Sequence, residues 1–415
     1  MLDIKFIREN QDLVKDAIRK KRIEFNLDEL IAVDERRRHV LMELENKRAS
    51  QNKKSDSKPT PEEIEILKKL KEEIKLLEEE NRNTQEEFNR LMLLVPQVPD
   101  PSVPEGKDDE DNVEVIKWGE IPAFDFKVKD HIELMESLDL VDFDRGVKVS
   151  GFRGYFLKNE AVLLSHALWA LVLDKLIKKG FTPIFAPAIA RESAFNGTGW
   201  LPQGKDEVYK VGEDEYLVGT SEVSTMAYYS DEVLQKKDLP KKFIAFSPCF
   251  RSEAGSHGKD TKGLIRVHEF YKMEQVILCR ADHEESVKWH EEITQNSEEI
   301  MQDLEIPYHV VVNSSGDLGL GQVKKYDIEG WMPSQQKYRE THSSSYFHDF
   351  QTRRLNIRYR DEENKMQFAH SLNNTAIATP RILAMIVENY QTKEGTVKVP
   401  KVLQKFVGVK QIGKK

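Results

Sequence analysis

Leu67, Leu70, Ile74, Leu77, Asn81, Thr84, Phe88, Leu91 and Val95 recur at alternating intervals of three and four. A stripe with that rhythm stays on one side of a helix, and it needs a long helical partner to cover it. The partner lies just upstream, where Leu30, Val33, Arg37, Val40, Leu44 and Lys47 repeat the same spacing. Between the two runs stands SQNKKSDSKPTP, whose Ser, Asn and Pro content ends one helix before the next begins. Thr60 as N-cap, Pro61 in the first turn and Glu63 closing a capping box mark the second start. The expectation is an antiparallel hairpin over about 27–95, with Asn81 setting register. A helix from Pro61 to Val95 is roughly 50 Å long at 1.5 Å per residue. Lys47, Arg48, Lys53, Lys54 and Lys58 surround the turn of a chain whose net charge is −9, and such a local basic patch suits a polyanion.

PQVPDPSVPEGKDDEDN breaks the helical pattern, and Gly, aromatic and β-branched residues return from Val113 onward. The chain therefore reads as an N-terminal domain over 1–105 and an α+β body over 106–415, with an amphipathic helix from Glu160 to Lys179. A charged fraction of 33% beside 39% hydrophobic residues excludes both a disordered chain and a uniformly basic coat protein. Two cysteines, Cys249 and Cys279, are too few for a disulfide framework, and MLDIKFIREN has no apolar core for a signal peptide. The expected setting is the cytoplasm, with no membrane and no DNA partner.

The segment from Phe243 to Cys279 carries the most chemical information. Alternation places Ala245, Ser247, Cys249 and Arg251 on one face of a strand, a floor of small residues ending in a guanidinium. A loop with three glycines follows, and the chain returns with Phe270, Lys272, Glu274 and Val276 sharing a face. Phe270 and Glu274 are about 13 Å apart along such a strand, so an elongated ligand can touch both. A planar aromatic, an arginine and a carboxylate suit a purine, a phosphate and an ammonium or hydroxyl.

FRSEAGSHGKDTKGLIRVHEFYKMEQ resembles motif 2 of class II aminoacyl-tRNA synthetases, in the form found in the seryl-tRNA synthetase family. GFTPIFAPAI, from Gly180 to Ile189, is similar to motif 1, and HSLNNTAIATPRILAMIVENYQ, from His370 to Gln391, to motif 3. LVGTSEVS holds a Thr-x-Glu segment like that family's serine-binding one, and the N-terminal hairpin resembles its tRNA-binding arm. The resemblance implies a class II catalytic domain built on an antiparallel sheet flanked by helices. It implies a homodimer that joins serine to tRNA(Ser) through seryl-adenylate, with tRNA(Sec) as a second acceptor to consider. Catalysis is implied for Arg251 and Arg381, on the α- and γ-phosphates. Serine binding is implied for Thr220, Ser221, Glu222, Arg251, Glu274, Asn373 and Thr375. ATP contacts are implied for Arg251, Ser252, Glu253, Val267, Phe270, Glu340, Thr341, His342, Ser343 and Arg381. Mg2+ is implied on Glu340 and Ser343.

The sequence departs from the family pattern in two places. Thr341 and His342 follow Glu340 where smaller or apolar residues are usual, and Asn373 to Thr375 replaces a frequent Asn-Gly-Ser. No zinc is expected: the cysteines read as small core residues. His257 and His268 are not needed as bases, because a substrate carboxylate is already a nucleophile at neutral pH. Two alternatives remain open at this point, a related ligase that loads a carrier protein and a catalytically inactive RNA-binding homologue.

Overall fold

The computed structural model describes residues 1–53, 60–256, 258 and 260–413. It divides into two compact units, Met1–Val98 and Pro99–Lys415, where the sequence suggested 105 as the boundary. In the first unit two long helices, α1 (Leu27–Lys53) and α2 (Pro61–Met92), pack along the expected seam. Leu30, Val40 and Leu44 from α1 and Ile74, Thr84, Phe88 and Leu91 from α2 are buried, each apolar one stabilising by about 1.5–3 kcal/mol. Arg37 occupies a seam position by laying its guanidinium 4.3 Å from the Phe88 ring centre while bonding Asp34 and Gln85. Short helices Ile4–Glu9 and Gln11–Lys20 add Ile7 and Val14 to the cluster that holds Leu27, Leu30, Phe88, Leu91 and Val95. The carbonyl of Thr60 accepts from the Ile64 amide, which makes Pro61 a first-turn residue.

Ion pairs lace the two helices. Arg36 meets Glu80 at 2.9 Å, Lys47 meets Glu73 at 2.7 Å and Arg48 meets Glu78 at 2.7 Å. These pairs are exposed and screened by water, so the apolar seam supplies the cohesion. Lys54 and Lys58 lie outside the described residues, as do the side chains of Lys53 and Glu63.

The second unit is built on one eight-stranded sheet. Its strands are β1 (Val113–Trp118), β2 (Thr182–Phe185), β3 (Lys241–Phe250), β4 (Glu269–Cys279), β5 (Tyr308–Val312), β6 (Lys324–Met332), β7 (Lys337–His348) and β8 (His370–Ala378). They lie in the order β1-β5-β6-β7-β8-β4-β3-β2, antiparallel throughout except for the last pair. Three helices, α3 (Glu160–Lys178), α4 (His283–Asp303) and α5 (Thr379–Asn389), share a core with it. Against β7 and β8 the contact with α4 is polar: His290 bonds the Ser344 carbonyl at 3.0 Å, and Asn374 donates to the Ile293 carbonyl at 2.5 Å. That leaves the opposite face of β7, β8 and β4 to carry a site.

Two bulges set which side chains reach that face. Thr341 is an extra residue in β7 against β6, since Ile328 pairs with His342 and Glu329 with Glu340. Ala376 is an extra residue in β8 against β4, since Thr375 pairs with Glu274 and Ile377 with Met273. His342, fully buried, joins them: its Nδ1 lies 2.7 Å from Thr341 Oγ1 and its Nε2 3.2 Å from the Ala376 carbonyl. Burial holds this imidazole neutral, with its pKa lowered to about 4. Since the carbonyl can only accept, Nε2 carries the proton, and the single Thr341 proton is shared between Nδ1 and the Ile328 carbonyl, 2.9 Å from Oγ1.

Candidate active site

A cavity of about 410 Å³ opens on this face, within the range of small-molecule sites. Phe270, Lys272 and Glu274 line it from β4, Glu340, Thr341 and Ser343 from β7, and Asn373, Thr375 and Ala378 from β8. In an uninterrupted strand Glu340 and Ser343 would face opposite sides, as would Thr375 and Ala378; the bulges bring each pair together.

One end is acidic and densely bonded. Thr220 caps the short helix Ser221–Met226, accepting from the Glu222 amide at 3.3 Å. Its hydroxyl donates to Glu274 and accepts from the Lys272 ammonium at 2.7 Å, and Lys272 meets Glu274 at 2.8 Å. Glu222 is buried beside them. Burial and the charge of Glu274 push its carboxyl up to about 7, against the pull of Gln351, Lys272 and Asn373.

The other end is cationic. Arg251 follows β3, bonded through Nε to the Gly219 carbonyl at 3.2 Å, and its guanidinium lies 5.7 Å from the Trp200 ring centre and 5.5 Å from that of Phe270. Arg381 stands in the first turn of α5 behind Pro380. It donates to the carbonyls of Ile265 at 3.0 Å and Glu340 at 2.7 Å, so two fixed guanidiniums point into one cavity. Although burial opposes it, Arg381, with Lys325 and Arg251, holds the Glu340 carboxyl down at about 2.

Thr220, Glu222, Arg251, Glu253, Val267, Phe270, Glu274, Glu340, Thr341, Ser343, Asn373, Thr375 and Arg381 all line the cavity. Three of the expected contacts lie elsewhere. His342 is on the far side of its strand, because the bulge at Thr341 turns its ring toward Ala376. Ser252 donates to the Asp206 carbonyl, and Ser221 is buried against the Ala245 carbonyl at 3.2 Å, touching Glu274 from behind. Glu253 reaches the cavity already engaged, 3.0 Å from Arg266. Trp200, Arg266 and Lys272 belong to the lining but were not expected there. Lys272 was legible, since it shares a strand face with Phe270 and Glu274; Trp200 carries no local signal.

Cys249 and Cys279 are free and fully buried, and burial pushes both thiols up. Among the described residues no three His, Cys, Asp or Glu side chains gather to hold a metal ion. An ionised Glu340 beside the Ser343 hydroxyl is an oxygen-only pair, suited to a hard cation that takes its remaining ligands from phosphate and water.

Residues 208–390 match the family model of the tRNA synthetase class II core domain (G, H, P, S and T), the class that this sheet and its paired arginines define. Residues 1–99 match the seryl-tRNA synthetase N-terminal domain. A serine–tRNA ligase of Deinococcus radiodurans is 46% identical over 419 residues, 99% of each chain, and one of Dictyoglomus turgidum is 44% identical over 424 residues. The crystal structure of the Pyrococcus horikoshii seryl-tRNA synthetase complexed with ATP superposes with a TM-score of 0.93 at 41% identity, covering all of both chains. That of the Naegleria fowleri cytoplasmic enzyme with AMP gives 0.89 at 34% identity, covering 100% of this chain and 99% of its own. The chain belongs to the seryl-tRNA synthetase family.

Proposed function

We propose that this chain is a serine–tRNA ligase that condenses serine with ATP to seryl-adenylate and pyrophosphate, then passes serine to the terminal ribose of tRNA(Ser). The observation that carries the reading is a single cavity whose acidic, hydroxyl-rich end faces two anchored guanidiniums across Phe270. Thr220 and Glu222 take the substrate ammonium, and Glu274 with Thr375 the hydroxyl. Arg251 takes the substrate carboxylate and the α-phosphate, Arg381 the γ-phosphate, and Phe270 stacks on adenine. The serine carboxylate attacks the α-phosphorus and pyrophosphate leaves, with both arginines stabilising charge that grows on the phosphoryl oxygens. Glu340 and Ser343 would hold Mg2+, which would supply further neutralisation of the phosphates.

Alanine lacks the hydroxyl and would forgo its bonds to Glu274 and Thr375 in a buried site, so discrimination against it is strong. The basic end of the hairpin, where Lys47 and Arg48 sit, reads tRNA(Ser), with tRNA(Sec) as an additional substrate to test. The absence of any helix long and apolar enough to cross a membrane, among the described residues, is compatible with work in the cytoplasm. Phe185, 86% exposed on the last strand of the sheet, supports a homodimer formed over that edge. Phe181, one residue before that strand, is buried in the core. ATP–pyrophosphate exchange across the twenty amino acids tests the assignment: serine alone should drive it strongly, and equal exchange with another amino acid while serine stays inert rejects it.

A further inference from the structure

We propose that Gln351 is a positioning residue for the amino acid, holding the Glu222 carboxylate in the orientation that receives the substrate ammonium; this rests on the function proposed above. Gln351 lies in the short helix Phe350–Arg354, outside the cavity lining and with no exposed surface. Its two ends are distinguishable. The Thr198 carbonyl can only accept, so Nε2 is the atom on its side and on that of Glu222, which leaves Oε1 to accept from Ser371 Oγ at 2.8 Å. Nε2 donates to Glu222 Oε1 at 2.6 Å, and the Thr198 carbonyl lies 3.4 Å from it. Ser371 belongs to β8, two residues from Asn373, so the relay runs from the sheet through the amide to the carboxylate.

The geometry matters because of what surrounds Glu222. From β4 it faces Glu274, which disfavours its charge, and Lys272, which favours it; from β8 it is bonded by Asn373; Arg251 lines the same cavity. Burial and Glu274 raise its pKa, and the bond from Gln351 is the first of the interactions that oppose them. A protonated Glu222 offers the ammonium no charge. Removing the Gln351 bond raises the carboxyl further, so serine binding should require a higher pH; ATP, bound at the cavity's other end, should be unaffected.

The test uses the full chain in pyrophosphate exchange from about pH 5.5 to 9. In Gln351→Met, which keeps the length and removes the donor, KM for serine should rise about tenfold with KM for ATP unchanged. The acidic limb of kcat/KM for serine should also move up by about one pH unit. Gln351→Glu should move it further, because two adjacent carboxyls share a proton. Ser371→Ala, which frees the amide to turn, should shift it in the same direction by less, and serves if the Met variant fails to fold. An unmoved acidic limb in the folded variants, or KM values for serine and ATP rising together, overturns the proposal and leaves Gln351 a packing residue. Failure of the unaltered chain to exchange with serine would instead reject the function itself.

Discussion

Glu340 and Ser343 stand three residues apart on one strand and yet line the same cavity, because Thr341 between them is the extra residue of a bulge. The pair is thus a product of register, and the two side chains share the cavity only while the bulge persists. If it holds Mg2+, Glu340→Gln should raise the magnesium needed for half-maximal exchange at least about tenfold, while Ser343→Ala should raise it less, since a charged ligand is lost in one and a neutral one in the other. Titrating exchange against free magnesium measures both, and an unchanged midpoint in Glu340→Gln would remove the carboxylate from the metal's ligands.

At the acidic end of the cavity, Glu274 receives Thr220 and Lys272. Glu274→Ala removes a charged acceptor aimed at the substrate, so kcat/KM for serine should fall by about 2–4 kcal/mol. The same variant should lose much of its preference for serine over alanine. A loss equal for both amino acids would show that the residue acts on the fold and not on the hydroxyl.

The hairpin should matter to one reaction only. Lys47 and Arg48 are tied to Glu73 and Glu78 through exposed pairs, so replacing both with Ala should change thermal stability little. Serine-dependent exchange should stay intact, whereas tRNA charging weakens and the salt dependence of tRNA binding becomes shallower. Loss of exchange alongside charging would make the hairpin a brace for the catalytic unit.

On the sheet's last strand, Phe185→Glu places a charge where the proposed dimer is apolar. Sedimentation should show dissociation at concentrations where the unaltered chain remains a dimer of about twice 48.1 kDa. An unaltered chain that is monomeric and active at micromolar concentration refutes the assembly.

Acid should weaken the catalytic unit through its buried imidazoles. His290 and His342 have pKa values lowered to about 4 by burial, below the 6.5 of the unfolded chain. Between those values the unfolded state binds more protons, so stability present above pH 6.5 is lost as pH falls toward 4. Denaturant unfolding from pH 7 to 4.5 should show this fall, and His342→Gln should make it shallower by as much as roughly 3 kcal/mol over the range. An unchanged slope would mean His342 is already charged in the folded protein.

How much could be read in advance follows from the range of the interactions. The seam from Leu67 to Val95 is a local period, and Ile74, Thr84, Phe88, Leu91 and Val95 along it are buried, the other members half-buried. Alternation likewise puts Phe270, Lys272 and Glu274 on one face, since β4 is regular there. It cannot show a bulge, and the bulge is what sends His342, an ATP contact implied by the resemblance, to the other side of its strand. Ser252 and Ser221 lie outside the lining for a related reason, as each hydroxyl finds a carbonyl brought close by folding, those of Asp206 and Ala245. Gln351 and Trp200 reach the site through contacts far apart in sequence, and no spacing rule announces them.

The ring of His342 has one nitrogen at each of two irregularities, Thr341 in one strand and Ala376 in the next but one residue frame of its neighbour. It works like a dowel through two sliding plates. Glu340 and Ser343 are indexed by the first plate, Asn373 and Thr375 by the second, so this side chain, beside the backbone ladder of β7 and β8, ties the two sets of lining residues together from outside the cavity. A change of frame in either strand would therefore be felt in both sets of lining residues at once.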